Sequence, residues 1–239
     1  MKTILRLLLA VYVSCSFSTN AADMLVVEIA EPWAKFDGTG YAVEVFDAVQ
    51  KVTDLDLELS VFPFARAVAM FKQKQSACYL GGDEQVALDY LNIEVIASEP
   101  FYESKIFVFT LRDQALIEYK EQLQNKRVGI NLGVGLETLG LEQIDFQSIE
   151  TVASVEMNYK KLKAGRIDAF LAYQSHLPRN YLKELNYSKG FPIYINLEKL
   201  ACHPSQTNKL RIQLFNEGLR EIRNNGLLNQ LFKKYFIQF

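Results

Sequence analysis

The chain has 239 residues, 49% of them hydrophobic and 23% charged, with 26 basic and 28 acidic side chains and a net charge of −2. That length can bury a core as one large domain or two small lobes, and the composition is that of a globular chain rather than a disordered one. A near-neutral balance excludes the basic face that a nucleic-acid partner would demand.

The first residues stand apart. In MKTILRLLLAVYVSCSFSTNAAD, Lys2 and Arg6 precede an apolar run from Leu7 to Val13, and small polar residues then lead to Ala21 and Ala22. This is the three-part pattern of a secretory signal peptide, and its apolar core is shorter than the roughly 20 residues a membrane span needs. Residues 1–22 are expected to be removed, placing the mature chain in the periplasm. A lipoprotein signal ending at Cys15 is the rival reading, and Tyr12-Val13-Ser14 fits it poorly. Cleavage takes away Lys2 and Arg6 and no acid, so the net charge moves from −2 to −4.

MLVVEIA (24–30) is a short, β-branched apolar run and predicts a buried strand. EPWAKFDGTG (31–40) predicts a loop, and YAVEVFDAVQKVT (41–53) a helix. LDLELSVFP (55–63) alternates as a strand does, FARAVAMFKQKQ (64–75) predicts a helix, and ACYLGGD (77–83) a strand ending in a glycine pair. Strands predicted at 104–111, 126–133, 148–154, 166–173 and 191–204 then alternate with helices from Leu136, over 155–165, over 207–226 and over 227–236. Strand-helix alternation implies a mostly parallel sheet covered by helices, an α/β fold.

Once Cys15 leaves, only Cys78 and Cys202 remain. In an oxidising compartment they are candidates for one disulfide; two buried thiols acting as small hydrophobes are the alternative. Gly129, Gly133 and Gly135 lack the spacing of a dinucleotide loop and read instead as a tight strand-to-helix turn whose N–H groups would favour an anionic ligand group. With only His176 and His203 and no paired ligand spacing, no metal and no cofactor is expected. No nucleophile motif occurs either. Residues 81–104 hold six acids, Asp83, Glu84, Asp89, Glu94, Glu99 and Glu103, and no lysine or arginine.

Several passages in order carry a family resemblance: EPWAKFDGTGYAVEVFDAV, FPFARAVAMFKQKQSACYLGG, SEPFYESKIFVF, NKRVGINLGVG, LKAGRIDAFLAY and LNQLFKKYF. The chain resembles bacterial extracellular solute-binding proteins of family 3, the amino-acid-type periplasmic binding proteins of ABC transporters. The resemblance implies an α/β, two-lobe periplasmic binding protein-like fold (type II) with a hinged interlobe cleft. It divides the chain into lobe 1 (23–99 and 196–239), lobe 2 (108–190) and hinge segments (100–107 and 191–195). It implies a monomeric, non-catalytic protein that captures a small polar solute for an ABC permease. A sensory protein handing its closed form to a membrane receptor, or a dehydratase-like enzyme on the same fold, are the alternatives.

Carried over by position, the resemblance places Trp33, Phe64, Gly81, Gly82, Asp83, Gly133, Val134, Gly135 and Tyr173 at the ligand. Two departures matter. The arginine that usually clamps an α-carboxylate is absent from the basic-free stretch, and Tyr173 stands where the family usually has an Asp for the α-ammonium. Both halves of a zwitterion lock are missing, so an ordinary amino acid would leave charges unpaired. Arg66 is a candidate substitute clamp. Alternatively Asp83 and Glu84 favour a cationic solute, with Trp33, Phe64 and Tyr173 supplying cation–π contacts.

Overall fold

A computed structural model describes residues 23–83, 87, 91–131 and 134–236. The segment read as a signal peptide, Glu84 and Gly133 lie outside the described residues. The strands are β1 (Met24–Glu28), β2 (Glu58–Phe62), β3 (Cys78–Gly82), β4 (Ile96–Ala97), β5 (Tyr102–Leu111), β6 (Arg127–Asn131), β7 (Ser148–Val152), β8 (Ala169–Tyr173), β9 (Leu185–Asn186) and β10 (Tyr194–Cys202). The helices are α1 (Tyr41–Gln50), α2 (Phe64–Lys72), α3 (Val155–Lys163), α4 (Arg179–Leu182), α5 (Gln206–Asn224) and α6 (Leu227–Phe236).

The main sheet path runs β2-β1-β3-β10-β5-β8-β6-β7. At one end β1 pairs in parallel with β2 and β3; at the other β6 pairs in parallel with β7 and β8. Two long antiparallel strands join these ends. Strand β10 pairs with β3 through Lys199–Cys202 and with β5 through Tyr194–Glu198, and β5 continues into β8. The buried apolar side chains follow the same division. One cluster gathers Leu25, Phe46, Leu80 and Phe101 with Leu200, Phe215 and Leu219 from late in the chain. Two others gather residues between Ile106 and Ile193. Type II periplasmic binding proteins have this architecture.

Local chemistry explains the element ends. Ser154 and Ser205 cap α3 and α5, each accepting a hydrogen bond from the backbone N–H three residues on, as N-cap serines do. Gly165, just beyond α3, adopts a left-handed φ of 65°, which glycine reaches without a Cβ penalty. Arg211 of α5 is 3% exposed and donates to Asp23 (2.7 Å) and to Asp56 (2.8 Å), tying the last long helix to the start of β1 and the approach to β2. Cys78 and Cys202 are disulfide-bonded across the β3–β10 ladder, closing a sequence separation of 124 residues.

One predicted helix does not form. Residues 136–140 make turns, with the Leu139 N–H donating to the Leu136 carbonyl and Gly140 at a φ of 59°. Leu139 and Leu141 are both buried in one cluster, an i,i+2 spacing that a helix cannot put on one face. The helix N-terminus proposed as an anion site after Gly135 is therefore absent. Among the described residues no helix is long and apolar enough to cross a membrane.

Candidate ligand-binding cleft

A cavity of about 620 Å³ opens where the parallel strands end. Glu28 closes β1, Gly81 and Gly82 close β3, Asn131 closes β6 and Tyr173 closes β8, and all of them line it. This is where ligands sit on open α/β sheets, outside the carboxyl ends of the strands.

Alternate residues of the two long strands make the floor. Tyr102, Ser104 and Ile106 of β5 face the cavity, as do Tyr194, Asn196 and Glu198 of β10. They are cross-strand partners in register: Glu198 opposite Tyr102, Asn196 opposite Ser104, Tyr194 opposite Ile106. The period of two sends Ile195 and Leu197 to the other face, where they are 46% and 37% exposed.

The aromatic wall is built from loops and strand ends. Trp33 is 5% exposed and packs near Tyr41, Phe101 and Tyr102. Gly81, at a φ of 103°, is required beside it: a Cβ there would come within 3.2 Å of the indole ring. The same point lies 3.4 Å from Trp33 Nε1 and 3.4 Å from Glu198 Oε2. Phe64, at the start of α2, stands at the rim and is 49% exposed.

The charged groups fall into two kinds. Asp83 pairs with Lys199 at 3.1 Å, both side chains largely buried. Glu28 and Glu198 have no ion-pair partner among the described residues. Tyr79 donates its hydroxyl to Glu28, and burial raises the Glu28 carboxyl despite that bond. Ser104 donates to Glu198 Oε1 at 2.5 Å. Burial pushes the Glu198 carboxyl up to about 8, with Glu28 and Asp83 adding to the rise against the hydrogen bonds from Ser104 and Asn196. Burial likewise raises Tyr173 and drops His176 to about 4, leaving that imidazole neutral at pH 7. No lysine or arginine is among the described lining residues. Nor, among the described residues, does any group of three or more His, Cys, Asp or Glu offer a metal site.

The structure thus brings Trp33, Phe64, Gly81, Gly82, Asp83, Val134, Gly135 and Tyr173 to one cavity. Arg66 does not line it: the side chain is exposed and lies over the Phe62 ring at 4.6 Å, because its helix turns Ala67 and Phe71 inward instead. Asp83 is neutralised by Lys199 rather than offered free to a cation. Gly129 has a packing role: a Cβ there would come within 2.2 Å of Asn158 Oδ1, and Asn158 donates to Asn131, steadying a lining side chain. Glu28, Ser104, Asn196 and Glu198 escaped the sequence reading.

No protein-family model matches the chain. It is 25% identical over 161 residues to a probable histidine-binding protein of Campylobacter jejuni, 64% of this chain and 59% of that one. It is 21% identical over 244 residues to an arginine-binding periplasmic protein of Mannheimia haemolytica, covering 98% of each. The fold matches the crystal structure of the substrate-binding protein of an amino acid ABC transporter, with a TM-score of 0.65 and 17% identity over 90% of this chain and all of that one. The resemblance to solute-binding protein family 3 holds across these relatives, which are named as binding proteins.

Proposed function

We propose that the chain is a periplasmic solute-binding protein that captures a small polar solute between two lobes for an ABC-type importer, without catalysis. The observation that carries this reading is the 620 Å³ cavity at the strand ends, floored by the only two long strands that join the two halves of the sheet among the described residues. Residues 23–99 and 196–239 form lobe 1 and residues 108–190 lobe 2. Segments 100–107 and 191–195 form the hinge, where Ile106 and Lys105 pair with Tyr194 and Ile195. A solute on that floor touches both lobes, adds contacts only when they close, and shifts the population toward the closed form that a permease would recognise.

A dehydratase-like reading draws on one observation, the protonated Glu198 carboxyl beside Ser104, which could act as a general acid. It lacks a basic clamp for an acidic substrate among the described lining residues. A thermal-shift screen of the mature chain with amino acids, amines and small carboxylates tests the binding reading: a ligand of the native state raises the melting temperature. Absence of any shift, or turnover of a cyclohexadienyl acid in the same samples, overturns it.

A further inference from the structure

Resting on the solute-binding reading, we propose that the cleft selects a small organic cation that carries a neutral acceptor and no carboxylate, with its ammonium or guanidinium seated against Glu198 and Glu28. Three independent features converge on this chemistry.

First, two carboxyl groups line one cavity and neither has a cationic partner among the described residues. Glu198 is 8% exposed and accepts hydrogen bonds from Ser104 and Asn196; Glu28 accepts one from Tyr79. A buried acid without a counterion is costly when ionised, and an entering cation supplies the missing charge.

Second, Trp33 Nε1 is a buried donor with no hydrogen-bond partner among the described residues, and such groups are rare in native structures. Its position, with Glu198 Oε2, around the empty side-chain site of Gly81 sets a donor and an acceptor around one point. A ligand that donates a hydrogen bond to Glu198 Oε2 and accepts one from Trp33 Nε1 satisfies both.

Third, the walls suit a cation and not an acid. Trp33, Tyr79, Tyr102 and Tyr173 line the same cavity, and aromatic faces attract ammonium and guanidinium groups. Lys199, beside the site, is occupied by Asp83.

The groups facing Glu198 are Glu28 on β1, Tyr79 on β3, Asp83 just after it, Tyr102 and Ser104 on β5, Tyr173 at the end of β8 and Asn196 on its own strand. None of them is cationic, so a bound cation pulls the Glu198 proton off and binding releases a proton near neutral pH.

The test is calorimetric titration of the mature chain with ethanolamine, 3-aminopropanol and 4-guanidinobutanamide, each a cation with a neutral hydroxyl or amide acceptor and no carboxylate, alongside arginine and succinate. The expected result is binding of at least one carboxylate-free cation, tighter than arginine, with an apparent enthalpy that depends on the buffer's ionisation enthalpy. Glu198→Gln should weaken that cation by about thirtyfold or more and abolish the buffer dependence, with Glu28→Gln weakening it as well if the first variant does not fold. Binding of arginine or succinate without the cations overturns this inference and leaves the solute-binding reading standing. Cation affinity unchanged in a folded Glu198→Gln also overturns it. No binding by any probe, together with no shift in the broader thermal screen, overturns both.

Discussion

Two acids on neighbouring strands lead opposite lives. Asp83, just past β3, is matched by Lys199 at 3.1 Å. Glu198, on β10 and one position before that lysine, is buried with hydroxyl and amide partners and no cation among the described residues. Both line the same cavity, yet only one is free to answer a ligand's charge. The acid-rich stretch that includes Asp83 draws the eye in the sequence, whereas the acid with the altered chemistry sits in a strand with nothing unusual around it. What matters is the local balance of burial against pairing, not the number of acids nearby.

The largest change expected is from removing the frame that holds these strands together. Replacing Cys78 and Cys202 with serine frees a loop of 124 residues and should cost about 2–5 kcal/mol, read as a lower denaturant midpoint that reductant reproduces in the native chain. Next, the two acids should respond with opposite signs. Asp83→Asn takes a charge partner from the largely buried Lys199 and should destabilise by about 1–3 kcal/mol. Glu198→Gln should stabilise the empty chain at pH 8, because it removes a group whose ionisation opposes folding. The sign follows from the proton count. With the folded carboxyl at about 8 and an ordinary value of 4.5, the folded state holds more protons between those values, so stability falls as pH rises through that window. Melting temperatures from pH 5 to 9 should drop in the native chain and drop less in Glu198→Gln; equal slopes would erase the contrast with Asp83.

A smaller effect belongs to Ser104→Ala. It removes the hydrogen bond to Glu198 Oε1, costs about 1 kcal/mol, and should raise the Glu198 carboxyl further, moving the pH midpoint of melting upward. Smallest of all is Arg66→Ala. Its side chain is exposed over Phe62 and away from the cavity, so stability should change within about 1 kcal/mol and affinity for any solute should not change at all.

The order of elements was largely legible because alternating strand and helix patterns are local. MLVVE, ELSVF and CYLGG carry strand signals in their own residues. The helix expected from Leu136 failed because the burial of Leu139 and Leu141 together is decided by distant partners such as Leu123 and Ile193. The floor was hidden for a different reason. In YINLE, alternation normally turns Ile195 and Leu197 inward and leaves Asn196 and Glu198 in water. The structure does the reverse, exposing the two aliphatics and burying Glu198, because the inward face of this strand meets a cavity rather than a packed core. Polar residues on the wrong phase of a long strand are a signal, but only the topology says that the strand spans between the two halves of the sheet.

Trp33 is the single tryptophan of the chain, and it forms part of the cavity wall. Its indole is therefore an intrinsic fluorophore with no competing emitter of its kind. A solute that accepts its N–H, or quenches its ring, should alter the emission of the whole protein, so occupancy of the cleft can be followed by light without a label.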